Sequence, residues 1–192
     1  MSMTHEDAWR EEAYEQMVKE VLETHREDVI DEFVSERMAS YYQNNPDLAA
    51  AAKSALDEAR SLLISSPTAS LVFSRTATEI TLRDVLLKPL AYGMVHDEHG
   101  GSLMVELALR NRQFTKLLFG VLEEYGIDLK SASRRGAANN LWAEIREIEQ
   151  TRNEIVHHGK KASKEQAQQS VEIAVILLNK LYPYLRNQVL MT

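Results

Sequence analysis

Cysteine is absent from the 192-residue sequence. That removes disulfide frames, thiolate zinc sites and cysteine nucleophiles from consideration. Glycine and proline are scarce, at 7 and 4 residues, which suits a helical chain with few turns. No apolar run approaches the ~20 residues of a membrane-spanning helix, and no signal-peptide core opens the sequence. A soluble cytoplasmic protein without a membrane partner is therefore expected. Also missing are a Gly-rich phosphate loop after a strand, a His-Glu-x-x-His zinc motif and a Gly-x-Ser-x-Gly elbow. No β-alternation, repeat or low-complexity tract is evident. The two tryptophans, Trp9 and Trp142, read as packing residues rather than stacking platforms.

Positive charge is also in short supply, with a net charge of −7. This disfavours broad, nonspecific binding to nucleic acid, which needs cations to neutralise phosphates. The imbalance is uneven along the chain. Residues 1–109 hold 9 Lys/Arg against 20 Asp/Glu, whereas residues 110–192 hold 13 against 9.

The pattern predicts an all-α fold with a long N-terminal helical extension over residues 1–45 and a helical domain over 46–192. Thr4 and Asp7 form a capping-box pattern. Apolar residues at 3–4 spacing then continue from Trp9 through Met17, Val21, Val29, Ile30, Phe33 and Met38 to Tyr41. His25 reads as a surface histidine within that run. Breaks are expected at Pro46, at Ser66-Pro67 and at Lys88-Pro89. Between the last two, residues 68–87 read as a helix whose inner stripe is Ala69, Phe73, Ala77, Ile80 and Leu87. His96, Asp97, Glu98 and His99 read as a polar loop, with no metal expected. Residues 102–125 read as a helix with Leu103, Leu107, Phe114, Leu117, Leu118 and Leu122 inward. A basic loop with Lys130, Arg134 and Arg135 follows. Residues 163–186 make the last helix, with a kink expected at Pro183.

Function concentrates between residues 137 and 159. Leu141, Ile145, Ile148, Ile155 and Val156 form one apolar stripe at helical spacing. Arg152 falls within that stripe. A buried guanidinium needs a partner, and Glu149, Glu79 and Asp84 are the candidates. Asn153 and His157 stand four residues apart on the flank of the stripe, while His158 points elsewhere. Gly159 ends the helix, and Lys160, Lys161 and Lys164 follow as a basic patch.

Arg152-Asn153-x-x-x-His157 near a helix end resembles the signature of the HEPN superfamily, over roughly residues 48–186. The resemblance implies a HEPN-like helical bundle and a metal-independent endoribonuclease, often a toxin or antiviral defence effector. It implies a two-fold homodimer whose motifs share one cleft. Arg152, Asn153 and His157 would be catalytic, with Glu149, Glu79, Asp84 and His158 in support. Lys160, Lys161, Lys164, Arg134 and Arg135 would contact RNA. No cofactor or metal is implied. A nucleotidyltransferase-type antitoxin or another protein regulator is an expected partner beside the RNA substrate. Alternative readings are a catalytically inactive HEPN module that binds a nucleotide or protein partner, and a structural helical dimer.

Overall fold

The computed structural model describes residues 26–110 and 112–191, and the side chains of residues 26–32, 108, 110, 112–115, 117 and 118 lie outside the described set. The Thr4 capping box, Trp9, Met17, Val21 and His25 therefore fall outside the described residues. So do the side chains of Val29, Ile30, Phe114, Leu117 and Leu118. Every regular element among the described residues is helical, and no described helix is long and apolar enough to cross a membrane.

The order is α1 (Arg26–Asn44), α2 (Ala50–Leu62), α3 (Pro67–Ile80), a π-helical segment (Thr81–Leu87) and α4 (Lys88–Val95). Next come α5 (Glu98–Arg110), α6 (Arg112–Glu124), α7 (Leu141–His158) and α8 (Lys164–Ile176). A second π-helical segment (Leu177–Leu181) runs into α9 (Tyr182–Met191). Helix α3 packs most extensively, between α2 and α8, and also touches α7; α1 lies on α4. Met38, Tyr42, Leu56, Leu71, Leu86, Leu90, Leu122 and Leu141 form the centre of one core. The last turns of α1 are thus part of that core.

Of the expected stripe, Ala77 and Leu87 are fully buried and Ile80 packs against the core, but the buried face also takes in residues that hydrophobicity does not mark. Ser70, Leu71, Ser74, Ala77 and Thr78 face inward, whereas Phe73 is 40% exposed. Small hydroxyl side chains can be buried when their hydrogen bonds are made locally. Ser70 donates to the Ala59 carbonyl at 2.7 Å, Thr81 donates to the Ala77 carbonyl at 2.7 Å, and Ser74 donates to Ser170 at 2.6 Å. Their small volume lets α2 and α8 approach closely, and hydrophobicity alone points the wrong way. Helix α5 departs from expectation for a related reason. Gly101 and Val105 face inward, while Leu103 is 58% exposed and Leu107 is exposed too. A Cβ at Gly101 would lie 3.3 Å from the Tyr92 backbone nitrogen, so the smallest residue marks the contact face.

The break expected at Lys88-Pro89 does not occur. The helix widens into π geometry over Thr81–Leu87 and then continues as α4. Proline has no N–H to offer the carbonyl four residues back, here Val85. The buried Tyr42 hydroxyl donates to that carbonyl instead, at 3.0 Å. Pro183 likewise stands in the first turn after a π segment, the second.

Two outcomes test these contacts. Tyr42→Phe removes the donor and leaves the Val85 carbonyl short of a partner, so unfolding stability should fall by about 1–2 kcal/mol; urea denaturation indistinguishable from wild type would show that this carbonyl is satisfied elsewhere. Gly93→Ala should be at least as damaging. Its Cβ would meet Met38 Cγ at 2.8 Å and the Val34 carbonyl oxygen at 2.9 Å, and overpacking of this kind typically costs about 1–3 kcal/mol. A thermal midpoint equal to wild type would show that α1 and α4 are further apart than described.

Candidate functional site

Helix α7 is held at its start by several independent contacts. Asn140 caps it, its side chain accepting from the Ala143 N–H at 2.8 Å, as an N-cap asparagine does. The Leu141 N–H reaches the Ala132 carbonyl at 2.7 Å and the Trp142 N–H the Leu129 carbonyl at 3.2 Å. Arg134 lies over the same turn. It donates to buried Glu144 through Nε at 3.1 Å and Nη2 at 2.9 Å, and also to Glu172. Gln169 donates to Glu144 at 3.1 Å. The hydrogen bond to Glu144 raises the Arg134 guanidinium above its usual pKa against the effect of burial, and Glu172 adds to the rise. Arg134 was expected to face RNA, but its donors are engaged in fixing α7. Arg135 beside it is exposed.

The buried stripe of α7 runs through Leu141, Glu144, Ile145 and Ile148. It ends there. Arg152 is partly exposed, Ile155 is partly buried and Val156 is 52% exposed. The expectation that Arg152 meets an acid is corrected by the geometry. Among the described residues it forms no ion pair with a carboxylate. Its Nη1 donates to neutral Asn153 Oδ1 at 3.2 Å. Its three expected acids are engaged by other arginines. Glu79 and Glu149 approach Arg75 at 3.8 and 3.9 Å, and Glu149 accepts from Arg146 at 2.9 Å. Asp84 accepts from Arg83 at 2.9 and 2.7 Å. The physical reason is position: Arg152 lies beyond the fully buried stretch of α7, where only Ile155 still packs against the core, so it needs no buried partner.

Asn153, His157 and His158 are all exposed. Asn153 and His157 are one turn apart on α7, with both histidines in its last turn. Gly159 closes the helix in left-handed geometry, φ 65°, and its N–H reaches the Ile155 carbonyl at 3.0 Å. A β-carbon is disfavoured at that φ. Lys160 then pairs with Glu154 at 3.2 Å, and Lys161 and Lys164 are exposed. Arg152, Asn153 and His157 therefore lie in the last two turns of one helix, with Lys160 and Lys161 directly after it and Lys164 at the start of the next. Among the described residues no group of three or more His, Asp and Glu is placed to hold a metal.

Arg75 of α3 occupies the role that the sequence suggested for Arg152. It is a largely buried arginine between two carboxylates, with its side chain 12% exposed. Its Nε and Nη1 hydrogen-bond to no protein group. Burial pushes its guanidinium below the usual arginine pKa; Glu79 and Glu149 oppose this, and nearby Arg152 and Arg146 reinforce it. A spacing signal for Arg75 does exist. Leu71, Arg75, Thr78 and Leu82 follow one helical stripe, and the three neighbours are buried. Arg75 borders a cavity of about 240 Å³. The walls come from α3, the first π segment, α5 and α7, with Trp142, Ile145, Arg146 and Glu149 supplying the α7 side. No family model, no curated protein and no solved structure matches the chain.

Proposed function

We propose that this chain is a metal-independent endoribonuclease of HEPN type, acting through Arg152, Asn153 and His157. The observation that carries the reading is the state of Arg152. It is partly exposed and bonded to a neutral amide, and no carboxylate neutralises it. Such a guanidinium keeps its charge and most of its donors for a phosphate.

The chemistry needs two proton movements and one charge stabiliser. The 2′-hydroxyl of one ribose attacks the adjacent phosphorus, and the bond to the 5′-oxygen of the next nucleotide breaks. An imidazole near neutral pH takes the 2′-hydroxyl proton. Arg152 offsets the negative charge that builds on the non-bridging oxygens. Asn153 steadies Arg152 through the 3.2 Å contact. The departing 5′-oxygen needs a second proton carrier, and one chain offers one motif histidine. A two-fold homodimer would bring a second His157 to the same phosphate. Half-exposed Val156, adjacent to His157 in sequence, supports an apolar contact there. Lys161, Lys164 and Arg135 are exposed cations able to follow the RNA backbone. A role as toxin or antiviral effector, restrained by a nucleotidyltransferase-type antitoxin or another protein regulator, belongs to the same proposal. The bundle as a whole is then HEPN-like.

Chelator-treated protein with labelled single-stranded RNA tests it. His157→Ala should lower cleavage by ~10²–10⁴-fold with the fold intact by circular dichroism. Arg152→Ala should lower cleavage as well, and stability should change by no more than about 0.5 kcal/mol, because a partly exposed side chain with one neutral contact supports little packing. His158→Ala should retain most activity. Cleavage that survives His157→Ala, or falls equally in His158→Ala, overturns the assignment. No cleavage by wild-type protein would leave the inactive nucleotide- or partner-binding module in its place.

A further inference from the structure

We propose that residues 1–25 of this same chain dock on the outward face of α5, with their apolar side chains over Leu103 and Leu107. The two leucines stand one turn apart on α5 and share a face. Leu103 is 58% exposed and Leu107 is 38% exposed. Gly101 marks the side of α5 that meets α4, because a Cβ there would lie 3.3 Å from the Tyr92 nitrogen. At about 100° per residue, Leu103 points away from that contact. Apolar side chains paired one turn apart on an exposed face are the anchors that an amphipathic segment covers. This contact is independent of the RNA chemistry.

The fold brings the segment to this face. Helix α1 runs antiparallel to α4, since Tyr42 meets Val85 while Val34 and Met38 lie against Gly93. Helix α5 turns back along α4 as well, with Gly100 beside Val95 and Gly101 beside Tyr92. The starts of α1 and α5 therefore lie at the same end of α4, and residues 1–25 join α1 there, just before Arg26. From the first turn of α5 to Leu107 is only about 14 Å along the helix, whereas 25 residues span about 37 Å even when helical. Thr24 and Glu27 have capping-box spacing, a helix-start signal that lets the chain change direction. Trp9, Ala13, Met17 and Val21 recur at every fourth residue, which gives the segment one apolar stripe. Charge matches too. Residues 1–25 hold 7 Asp/Glu against 2 Lys/Arg. Residues 107–122 hold Arg110, Arg112 and Lys116 with no Asp or Glu, and Lys116 is exposed. Opposite charges of this kind fix the register of an apolar contact. The chain's own segment is favoured over that of a second copy, because the covalent link keeps it at millimolar effective concentration.

Because the chain has no cysteine, Leu103→Cys places a single thiol on this face, and Leu107→Cys is a second reporter that leaves Leu103 in place. Both positions are exposed, so each variant should keep its fold. The measurement is the rate of alkylation by N-ethylmaleimide in the full chain. Adding Met17→Ser and Val21→Ser shortens the apolar stripe of the segment without changing its charge. Alkylation at both reporters should then rise by roughly ten-fold, the ratio for a segment docked about nine-tenths of the time. Ile64→Cys, on the exposed turn between α2 and α3, should react at the same rate with and without those changes. The slow rate at Leu103→Cys should also persist through roughly hundred-fold dilution, because a tethered segment is not diluted. A rate unchanged by Met17→Ser and Val21→Ser would overturn the proposal. So would a rate that rises on dilution, which would assign the cover to a second copy. An equal rise at Ile64→Cys would overturn it as well, as general loosening of the fold rather than uncovering of α5.

Discussion

The close seam between α3 and its two neighbours, α2 and α8, is the contact on which the rest of the arrangement depends. Small side chains at Ser70, Ser74, Ala77 and Thr78 let three helices approach closely. The Ser74–Ser170 hydrogen bond marks the centre of the α3–α8 contact. Hydroxyls that satisfy themselves against nearby backbone or one another behave as small packing residues, not as buried polar liabilities. The same seam fixes the rotation of α3. With its small residues turned to α2 and α8, Arg75 comes round towards α7 and Glu149. One packing choice thereby sets the helix contacts and places a cation between two carboxylates.

Helical content was legible because few residues interrupt the chain and apolar residues recur at 3–4 spacing. The end of the motif helix was legible too: Gly159 adopts the left-handed geometry that favours glycine. Its start is set by the Asn140 cap, with the helix beginning at Leu141. The orientation of α3 was not legible from hydrophobicity. Phe73 looks like a core residue, and Ser70, Ser74 and Thr78 look like surface. The distinction depends on which neighbours need room, and that is a property of three helices together. Leu103 and Leu107 were misassigned for the same reason, since α5 meets α4 through Gly101.

The motif residues share an open helix end, but not in the setting that spacing alone suggested. Arg152 continues the series of Leu141, Ile145 and Ile148 in sequence, yet the fully buried stripe stops one turn earlier and Ile155 beyond it is only partly buried. Periodicity reports which way a side chain faces and is silent on how far the core extends along the helix axis. Arg134 illustrates the converse. In a loop between helices it looks free to meet a phosphate, but Glu144 and Glu172 converge on it from α7 and α8. Three arginines of similar appearance in the sequence thus divide into a scaffold residue, a largely buried cation beside a cavity and a partly exposed cation beside an amide. Neighbouring carboxylates make the difference.

The two π-helical segments carry a consequence for how the chain is phased. Each closes a longer ring than an α-helical turn, so it holds surplus backbone relative to an uninterrupted α-helix. One surplus residue turns everything beyond it by about 100° about the helix axis. Leu90 and Ala91 of α4 are buried on a face that simple continuation of the α3 pattern does not reach. The prolines that follow the two segments, Pro89 and Pro183, therefore stand at phase shifts rather than at stops. The two segments touch each other within the bundle, so a pair of out-of-step turns is brought together, and the helices after them are indexed from that junction rather than from the chain before it.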